Sequence, residues 1–324
     1  MKENLKLNVV KSAEVITIGE PMAVYISEYP GQLKDVNKYY RGIAGAELNV
    51  AVGLSRLNHS VRYLTKLGKD PYGEMIFDFL QKEGIITDGV LWDSDRLTGS
   101  YLKSKVIKGD PDIFYFRKDS AASTYCPEDI KRDYLRGKIL HITGISAGIS
   151  LSMRNAVKKI INMAKETGLL ITFDPNLRKT LWKSPKEMTD TINELATQSD
   201  IIMPGIEEAR ILTGETEIRK MAKFYLDKGV KTVIIKTGKR GACLFDSKTE
   251  KEIGGFQIEN IVDTVGAGDA FAAGVISGIL EGMDMENAVL RGNAMGAIIV
   301  SSPGDNDGLP ERQDLYQFMN QFHS

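Results

Sequence analysis

The sequence predicts an α/β fold with a mostly parallel central sheet that helices cover on both faces. Two observations support this class: short β-branched segments alternate with longer helical patterns, and the chain is long enough to bury a large core. It has 324 residues, of which 42% are hydrophobic. An α/β fold of this size is often one unit. We therefore expect a single domain over residues 1–324.

The predicted strands are short and rich in isoleucine, valine and threonine. They cover residues 14–19, 61–68, 138–144, 169–174, 200–204 and 231–236. The predicted helices cover residues 47–57, 72–84, 151–168, 184–198 and, near the end of the chain, about 268–281, 285–300 and 311–322. Because parallel strands need crossover connections, this alternation indicates helices packed on both faces of the sheet.

Two segments interrupt that alternation, at about residues 21–41 and 99–117. The second has the pattern of a hairpin, with alternating side chains on either side of a turn at residues 109–112. Both insertions follow core elements directly. We expect them to form a small β-strand lid that projects from the main sheet.

Composition excludes several classes of function. The 42 basic and 43 acidic residues nearly cancel, so the charge balance indicates neither a nucleic-acid nor a membrane partner. The two cysteines and three histidines are too scattered for a metal cluster. The first residues lack the apolar core of a signal peptide, and no stretch approaches 18 apolar residues. A cytoplasmic setting is the expectation.

The stretch DTVGAGDAFAAG, residues 263–274, carries the strongest chemical signal. Gly266 and Gly268 allow close approach of a ligand to the backbone, and a helical pattern begins at Asp269. The first N–H groups of a helix attract anions, whereas a carboxylate beside them suits proton abstraction. A phosphate cradle next to a base is the equipment for phosphoryl transfer to a hydroxyl. A plain helix cap at Asp269 explains this stretch equally well.

Other phosphate-binding signatures are missing. The sequence contains no GxxxxGK[ST] motif, and GAGDAF lacks the third glycine of a dinucleotide fingerprint. The characteristic triplets of protein kinases are also missing.

Together with GIAGAELNVAVGLSRLN at residues 42–58, the glycine stretch resembles the paired signatures of the ribokinase-like (PfkB) sugar kinases. The resemblance extends from GEP at residues 19–21 to GDNDG at residues 304–308. It implies a three-layer α/β/α fold with a central mostly parallel sheet and a small β-strand lid. It also implies ATP-dependent transfer of a phosphoryl group to an alcohol.

The same resemblance implies roles for individual residues. Asp269 corresponds to the general base, and Gly266, Ala267 and Gly268 correspond to the turn that stabilises the transferred phosphoryl group. Glu208 corresponds to a glutamate that organises Mg²⁺ indirectly, but Gly205 stands where the family usually has asparagine, which leaves the local metal network in doubt. An ordinary solvated helix charge is the alternative for Glu208.

KTGKRGACLF, residues 236–245, resembles the family's nucleotide loop. The implied ATP-binding residues are Asn176, Arg178, Lys236, Thr237, Gly238, Lys239, Gly241, Gly266, Gly268 and Asn293. A plain hairpin turn is the alternative for the loop, and a surface helix position is the alternative for Asn293. A monovalent cation such as K⁺, held by carbonyls near Asp263 and Val265, is also implied.

Within the family, GEPM, GAELNVAV, FYFRKDSAAS and DPNLRKTLW most resemble the branch that phosphorylates 2-keto-3-deoxygluconate. The implied substrate-binding residues are Gly45, Ala46, Glu47, Leu48, Asn49, Tyr101, Tyr115, Arg117, Arg178 and Asp305. Tyr115 and Arg117 are two apart on a predicted strand and face the same way, and arginine binds carboxylates through two parallel hydrogen bonds. The implied reaction is phosphorylation of the 6-hydroxyl in sugar-acid catabolism.

Alternatives remain at this stage. A fructokinase or another neutral-sugar kinase of the same family is one, and a non-catalytic sugar-acid sensor is another. Tyr115 could pack the lid, Arg117 could be a surface charge, and Asp305 could form a turn. Exposed lid strands invite pairing, so we also expect a homo-oligomer.

Overall fold

The computed structural model describes residues 12–105, 111–258, 262, 264–301 and 306–322. In this part of the chain, nine strands form a central sheet. They are β1 (Val15–Ile18), β4 (Val61–Gly68), β5 (Val90–Asp93), β8 (Ile139–Thr143), β9 (Leu170–Asp174), β10 (Ile201–Ile202), β11 (Thr232–Lys236), β12 (Gly241–Asp246) and β13 (Glu250–Gly254). The remaining four, β2 (Met22–Pro30), β3 (Tyr39–Ala44), β6 (Ser100–Lys105) and β7 (Ile113–Phe116), form a second sheet, called here the small sheet.

The central sheet has the strand order β13-β12-β11-β10-β9-β8-β1-β4-β5. Every pair from β11 to β5 is parallel, whereas β12 and β13 complete an antiparallel meander at one edge. The α/β class and the mostly parallel sheet are therefore confirmed. Because the strands are parallel, the chain segments that leave β1, β8, β9 and β11 all emerge at one edge of the sheet, where ligands bind in such folds.

Helices cover both faces of this sheet. They are α1 (Ala46–Arg56), α2 (Pro71–Lys82), α3 (Gly144–Ile149), α4 (Leu151–Thr167), α5 (Pro185–Ala196), α6 (Ile206–Thr213), α7 (Ile218–Leu226), α8 (Ala267–Leu280), α9 (Met285–Ile299) and α10 (Arg312–Gln321). One buried apolar cluster contains side chains of α4, α5 and α7, and the other contains side chains of α1, α8 and α9. Within the described residues, no helix combines the length and apolar character needed to cross a bilayer.

Local sequence fixes several helix starts. Asp70 accepts hydrogen bonds from the N–H groups of Tyr72 and Gly73 at the start of α2, and Ser150 and Ser184 cap α4 and α5 in the same way. These caps satisfy N–H groups that have no partner within the helix. They explain why these boundaries lie within two or three residues of the predicted ones.

The small sheet has the strand order β3-β2-β6-β7. Each insertion predicted from the sequence contributes two of its strands or parts of them, and β6 pairs antiparallel with β7, so that Tyr101 lies opposite Tyr115. The predicted hairpin is therefore confirmed in its strands. Half of its predicted turn, residues 109–110, lies outside the described residues.

Candidate active site

A cavity of about 480 Å³, called here the polar cavity, opens at the carboxyl edge of the central sheet, beside the small sheet. Its lining combines side chains from both sheets and from the starts of α1 and α8. It includes Glu20, Gly45, Ala46, Glu47, Asn49, Tyr101, Tyr115, Arg117, Asp174, Asn176, Arg178, Glu208, Lys236, Gly266, Gly268 and Asp269. Most of the predicted substrate residues thus surround one space.

Asp269 lies in the first turn of α8 with only 7% of its surface exposed. Its Oδ2 accepts a hydrogen bond of 2.8 Å from Nδ2 of Asn49, and its Oδ1 accepts one of 3.1 Å from Nδ2 of Asn176. Gly266, which precedes the helix, has a φ of 83°, a left-handed conformation that favours glycine. Asn176 also has a positive φ, of 40°. Two asparagines on different elements therefore fix the orientation of one carboxyl group.

The electrostatic surroundings suit this carboxyl group to proton transfer. Burial raises the pKa of Asp269 to about 7, with a further contribution from the nearby Asp174, while the hydrogen bond from Asn49 opposes the shift. An ordinary aspartate titrates near pH 4. A carboxyl group with a pKa close to neutrality can take a proton and release it again under physiological conditions.

Asp174 and Lys236 form an ion pair of 2.6 Å at the ends of β9 and β11. Burial raises the pKa of Asp174 to about 6, against the opposing effect of Lys236. Burial alone would lower the pKa of Lys236, but Asp174 and Glu208 raise it above its ordinary value. Lys236 is therefore protonated at neutral pH. A Cβ built on Gly268 would lie 3.3 Å from the Lys236 Nζ, so this cation sits against the start of α8.

Glu208 lies in the first turn of α6, and its side chain caps the start of that helix. Its Oε2 accepts a hydrogen bond of 2.8 Å from the Gly205 N–H, and its Oε1 accepts one of 2.7 Å from the Leu177 N–H. Both carboxylate oxygens are thus already engaged by main-chain donors. Among the described residues, no group of three or more acidic, histidine or cysteine side chains is placed to hold a metal directly.

A second cavity of about 530 Å³, called here the apolar cavity, adjoins the first. Its lining is mostly apolar or glycine, with charged groups confined to Glu207, Glu208, Lys236 and Lys239. It includes Gly205, Gly238, Gly241, Gly255, Phe256, Ile258, Ala267, Gly268, Phe271, Asn293, Gly296, Ala297 and Val300. Four residues, Glu208, Lys236, Thr264 and Gly268, line both cavities, so the two spaces meet at the start of α8.

The polar cavity also holds two tyrosines and two arginines. The rings of Tyr101 and Tyr115 lie 5.3 Å apart, and the guanidinium carbon of Arg117 lies 5.4 Å from the centre of the Tyr115 ring. Arg117 is ion-paired with Glu20. Arg178 donates one hydrogen bond, to the carbonyl of Leu177 beside it. Within the described residues Arg178 has no carboxylate partner.

Glu47 is another buried carboxyl group of this cavity. Its Oε1 accepts hydrogen bonds from Thr143 (2.6 Å) and Ser146 (2.5 Å). Burial raises the pKa of Glu47, because these hydroxyl groups and the more distant Arg117 only partly offset the loss of solvation. The glycine at position 19 leaves room for the Glu47 side chain, because a Cβ built on Gly19 would lie 2.4 Å from the Glu47 Oε2.

Comparison with known proteins agrees with this arrangement. The family profile described as pfkB family carbohydrate kinase matches residues 12–312, nearly the whole chain. The chain belongs to the pfkB family of carbohydrate kinases. It is an ATP-dependent sugar kinase with a ribokinase-like fold, and the resemblance seen in its two glycine signatures is confirmed.

The relatives of this sugar kinase act on several substrates. The chain is 44% identical over 308 residues to 2-dehydro-3-deoxygluconokinase of Bacillus subtilis. The alignment covers 94% of this chain and 95% of the relative. It is 32% identical to a 5-dehydro-2-deoxygluconokinase of Clostridium perfringens, over 88% of this chain and 85% of the relative. A crystal structure of a PfkB protein from Polaromonas sp. JS666 is 40% identical, with a TM-score of 0.88, covering 94% and 99% of the two chains.

The structure of the kinase also separates the predicted site residues into groups. Gly238, Lys239, Gly241 and Asn293 line the apolar cavity, whereas Asn176 and Arg178 line the polar cavity and not the apolar one. The segment predicted to be the nucleotide loop forms a hairpin turn, since it joins antiparallel β11 and β12. The two interpretations of that segment are therefore compatible.

Two predicted positions do not line a cavity. Leu48 was expected at the sugar side, but its side chain is fully buried in the core cluster, because it faces the sheet side of α1. Thr237 was expected along the nucleotide, but its hydroxyl and its N–H both donate to the carbonyl of Gly241 and hold the turn closed. Asp263 and Asp305 lie outside the described residues.

Glu20 and Asp174 are the charged residues of the polar cavity that were not predicted from the sequence. Asp174 begins DPNLRKTLW, a segment used only to choose a branch of the family, and its position at the end of a predicted strand was the available signal. Glu20 belongs to GEPM, a segment that served only to establish the resemblance. No feature of the sequence pairs Glu20 with Arg117, 97 positions away.

Proposed function

We propose that this kinase phosphorylates the 6-hydroxyl of 2-keto-3-deoxygluconate with ATP. The observation that carries the proposal is the presence of two guanidinium groups, Arg117 and Arg178, in the same cavity as Asp269. A neutral sugar offers no charge for these groups to bind, whereas a sugar acid offers a carboxylate. The identity of 44% to a 2-dehydro-3-deoxygluconokinase supports the same substrate.

The proposed orientation places the carboxylate of the substrate at the end of the polar cavity that holds Arg117. Tyr101 and Tyr115 flank that end and supply hydroxyl groups and ring faces for the sugar chain. Gly45, Ala46, Glu47 and Asn49 line the same cavity at the start of α1. The far end of the sugar acid, which carries the 6-hydroxyl, would then lie toward Asp269.

In the proposed reaction, Asp269 accepts the proton of the 6-hydroxyl as that oxygen attacks the terminal phosphorus of ATP. The bond from that phosphorus to the leaving oxygen breaks, and ADP carries the electron pair away. Asn49 and Asn176 keep the carboxyl group in position throughout. The negative charge of the transferred group would be stabilised by the main-chain N–H groups of Gly266, Ala267 and Gly268. The ammonium group of Lys236 would stabilise the same charge.

ATP would bind in the apolar cavity. Gly238, Lys239 and Gly241 would follow its phosphates and ribose, and the base would lie against the apolar side chains near Asn293. Because Lys236 and Gly268 line both cavities, the terminal phosphate would reach the acceptor at that boundary.

Glu208 is the residue that would hold Mg²⁺, and it would do so through water. Both of its oxygens already accept main-chain N–H groups, so each retains one lone-pair site. Magnesium usually keeps several of its waters, so this donor set fits it. When bound, the ion would neutralise phosphate charge. A monovalent cation near Asp263 and Val265 stays a prediction.

The small sheet would also form the contact in a homo-oligomer. β3 and β7 are its edge strands, and Phe114, 57% exposed, packs against the equally exposed Phe116. An exposed strand edge beside aromatic side chains favours pairing with a second copy. Light scattering on the wild type and on Phe114→Lys tests this: the variant should shift toward the monomer.

The substrate proposal is tested by measuring ADP release with Mg-ATP against 2-keto-3-deoxygluconate, fructose and ribose side by side. We expect kcat/KM to be highest for the sugar acid. A higher value for fructose or ribose would assign the chain to the neutral-sugar kinases. Binding of the sugar acid with no ADP release would indicate the non-catalytic sensor.

A further inference from the structure

Glu20 is the most completely engaged carboxylate of the polar cavity. Its Oε2 accepts hydrogen bonds from Nε (2.8 Å) and Nη2 (2.5 Å) of Arg117, and its Oε1 accepts one of 2.5 Å from the Ser120 hydroxyl. Its side chain is 1% exposed. An ion pair removed from water to this degree persists only when its geometry is good and its other atoms are satisfied, as they are here.

The contact joins the two sheets of the molecule. Glu20 follows β1 of the central sheet, whereas Arg117 follows β7 of the small sheet and Ser120 lies in the loop beyond it. Space for the carboxylate depends on Gly99, since a Cβ there would lie 2.6 Å from the Glu20 Oε1. The main chain at Gly99 therefore leaves the room that this carboxylate needs.

The ion pair uses only one edge of the Arg117 guanidinium. Nε and Nη2 face Glu20, while Nη1 has no hydrogen-bond partner among the described residues, and Arg117 lines the polar cavity. A guanidinium group has a second pair of parallel donors, on Nη1 and Nη2, that can bind another carboxylate. Arg117 is thus held on one edge and open on the other.

We propose that Glu20 is a positioning residue that determines selectivity for sugar acids, because it orients the open edge of Arg117 toward the substrate carboxylate. The inference rests on the proposed sugar-acid activity. Glu20 and Arg117 form an ion pair, so Arg117 recognises the carboxylate by directed hydrogen bonds, whereas Arg178, which has no ion-pair partner among the described residues, adds positive charge to the cavity. Glu20 itself takes no part in the transfer step.

The test compares Glu20→Gln with Ser120→Ala in steady-state kinetics on 2-keto-3-deoxygluconate. Glu20→Gln should raise KM for the sugar acid by about tenfold or more, because a misoriented charged donor loses most of its contribution. The values of kcat and of KM for ATP should change by less than about threefold, because Glu20 does not contact Asp269 and does not line the apolar cavity. Ser120→Ala leaves both Arg117 contacts in place and should raise KM by only about twofold. An unchanged or lower KM for the sugar acid in Glu20→Gln would overturn the proposal.

A double-mutant cycle identifies the partner through which Glu20 acts. In an Arg117→Gln background, Glu20→Gln should add no further increase in KM. If the full factor persisted there, Glu20 would act independently of Arg117 and the proposal would be wrong. Should Glu20→Gln fail to fold, Glu20→Asp keeps the charge but shortens the side chain, and should give the same selective rise in KM.

The design separates two kinds of failure. Wild-type enzyme that rejects the sugar acid but phosphorylates fructose contradicts the proposed function, and the Glu20 proposal with it. Wild-type enzyme that accepts the sugar acid, with Glu20→Gln unaffected, contradicts the role of Glu20 alone.

Discussion

The two cavities that meet at the start of α8 differ in the kind of surface they present. The lining of the polar cavity includes eight charged residues, among them Glu20, Arg117 and Asp269. The apolar cavity has four charged residues, Glu207, Glu208, Lys236 and Lys239, and its other lining residues include Phe256, Phe271 and Val300. One surface can select a ligand by directed polar contacts, and the other by shape and apolar contact.

This difference has a structural origin. The polar cavity lies between two sheets, where strand ends and loops converge and bring polar side chains together. The apolar cavity lies along α8 and α9, whose neighbouring residues already belong to a hydrophobic core cluster. Substitutions in the two cavities should therefore change different kinetic constants, and only residues at the junction should change the transfer step itself.

The largest expected effect is at the junction. Asp269→Asn should lower kcat about 10³-fold, because the variant cannot accept the proton, while binding of ATP and of the sugar acid is kept. Isothermal titration calorimetry and ADP release measure the two properties separately. Asp190→Asn, on the exposed face of α5, is the matched control and should retain full activity. Unchanged turnover in Asp269→Asn would refute the assigned base.

The next largest effect distinguishes substrates within the polar cavity. Arg178→Met should lower kcat/KM for 2-keto-3-deoxygluconate by about 10- to 100-fold, since a charge-assisted contact is lost. Turnover of fructose should fall by less than about threefold. Exposed Arg132, changed to Met, serves as the control. Equal losses on both sugars would contradict recognition of a carboxylate by Arg178.

The pH dependence probes the raised pKa of Asp269. Below pH 7, kcat/KM should fall about tenfold per pH unit, because only the ionised carboxylate accepts a proton, and above pH 7 it should level off. The sign follows from burial, which favours the protonated form and moves the titration upward from its ordinary range near pH 4. An acidic limb centred near pH 4 would contradict the burial argument.

The smallest effect concerns the apolar cavity. Nδ2 of Asn293 donates to the carbonyls of Ile253 (3.1 Å) and Gly254 (3.0 Å), and so ties α9 to β13 at the edge of the cavity. Asn293→Ala should raise KM for ATP about threefold to tenfold through loss of these two hydrogen bonds, and should leave KM for the sugar acid unchanged. Asn320→Ala, at an exposed position of α10, is the control. A change in KM for the sugar acid alone would mean that the two cavities do not divide the ligands as proposed.

The sequence predicted the regular part of the fold well. All six predicted strands and all seven predicted helices have counterparts, because long periodic segments and strong caps such as Asp70 and Ser184 carry local signals. The additional strands β5, β12 and β13 and helices α3, α6 and α7 were not predicted. Most of these elements are short. β13 has three successive charged residues and lies at the edge of the sheet. Pairing with neighbouring strands, rather than the local sequence, therefore determines such strands.

The residues of the site were harder to predict from the sequence than the strands and helices. Asp269 could be chosen because glycines and a helix start mark it locally. The ion pairs of Glu20 with Arg117 and of Asp174 with Lys236 join residues 97 and 62 positions apart, and only the folded sheet brings them together. The burial of Leu48 likewise depends on which face of α1 meets the core, a feature of tertiary packing.

The most direct test of the account is the position of the phosphate on the product. Wild-type enzyme, 2-keto-3-deoxygluconate and Mg-ATP are incubated together, and the sugar product is examined by phosphorus–proton correlation NMR. The account predicts coupling of the new phosphorus to the two protons on carbon 6. Coupling to another carbon, or no phosphorylated sugar acid at all, would contradict it.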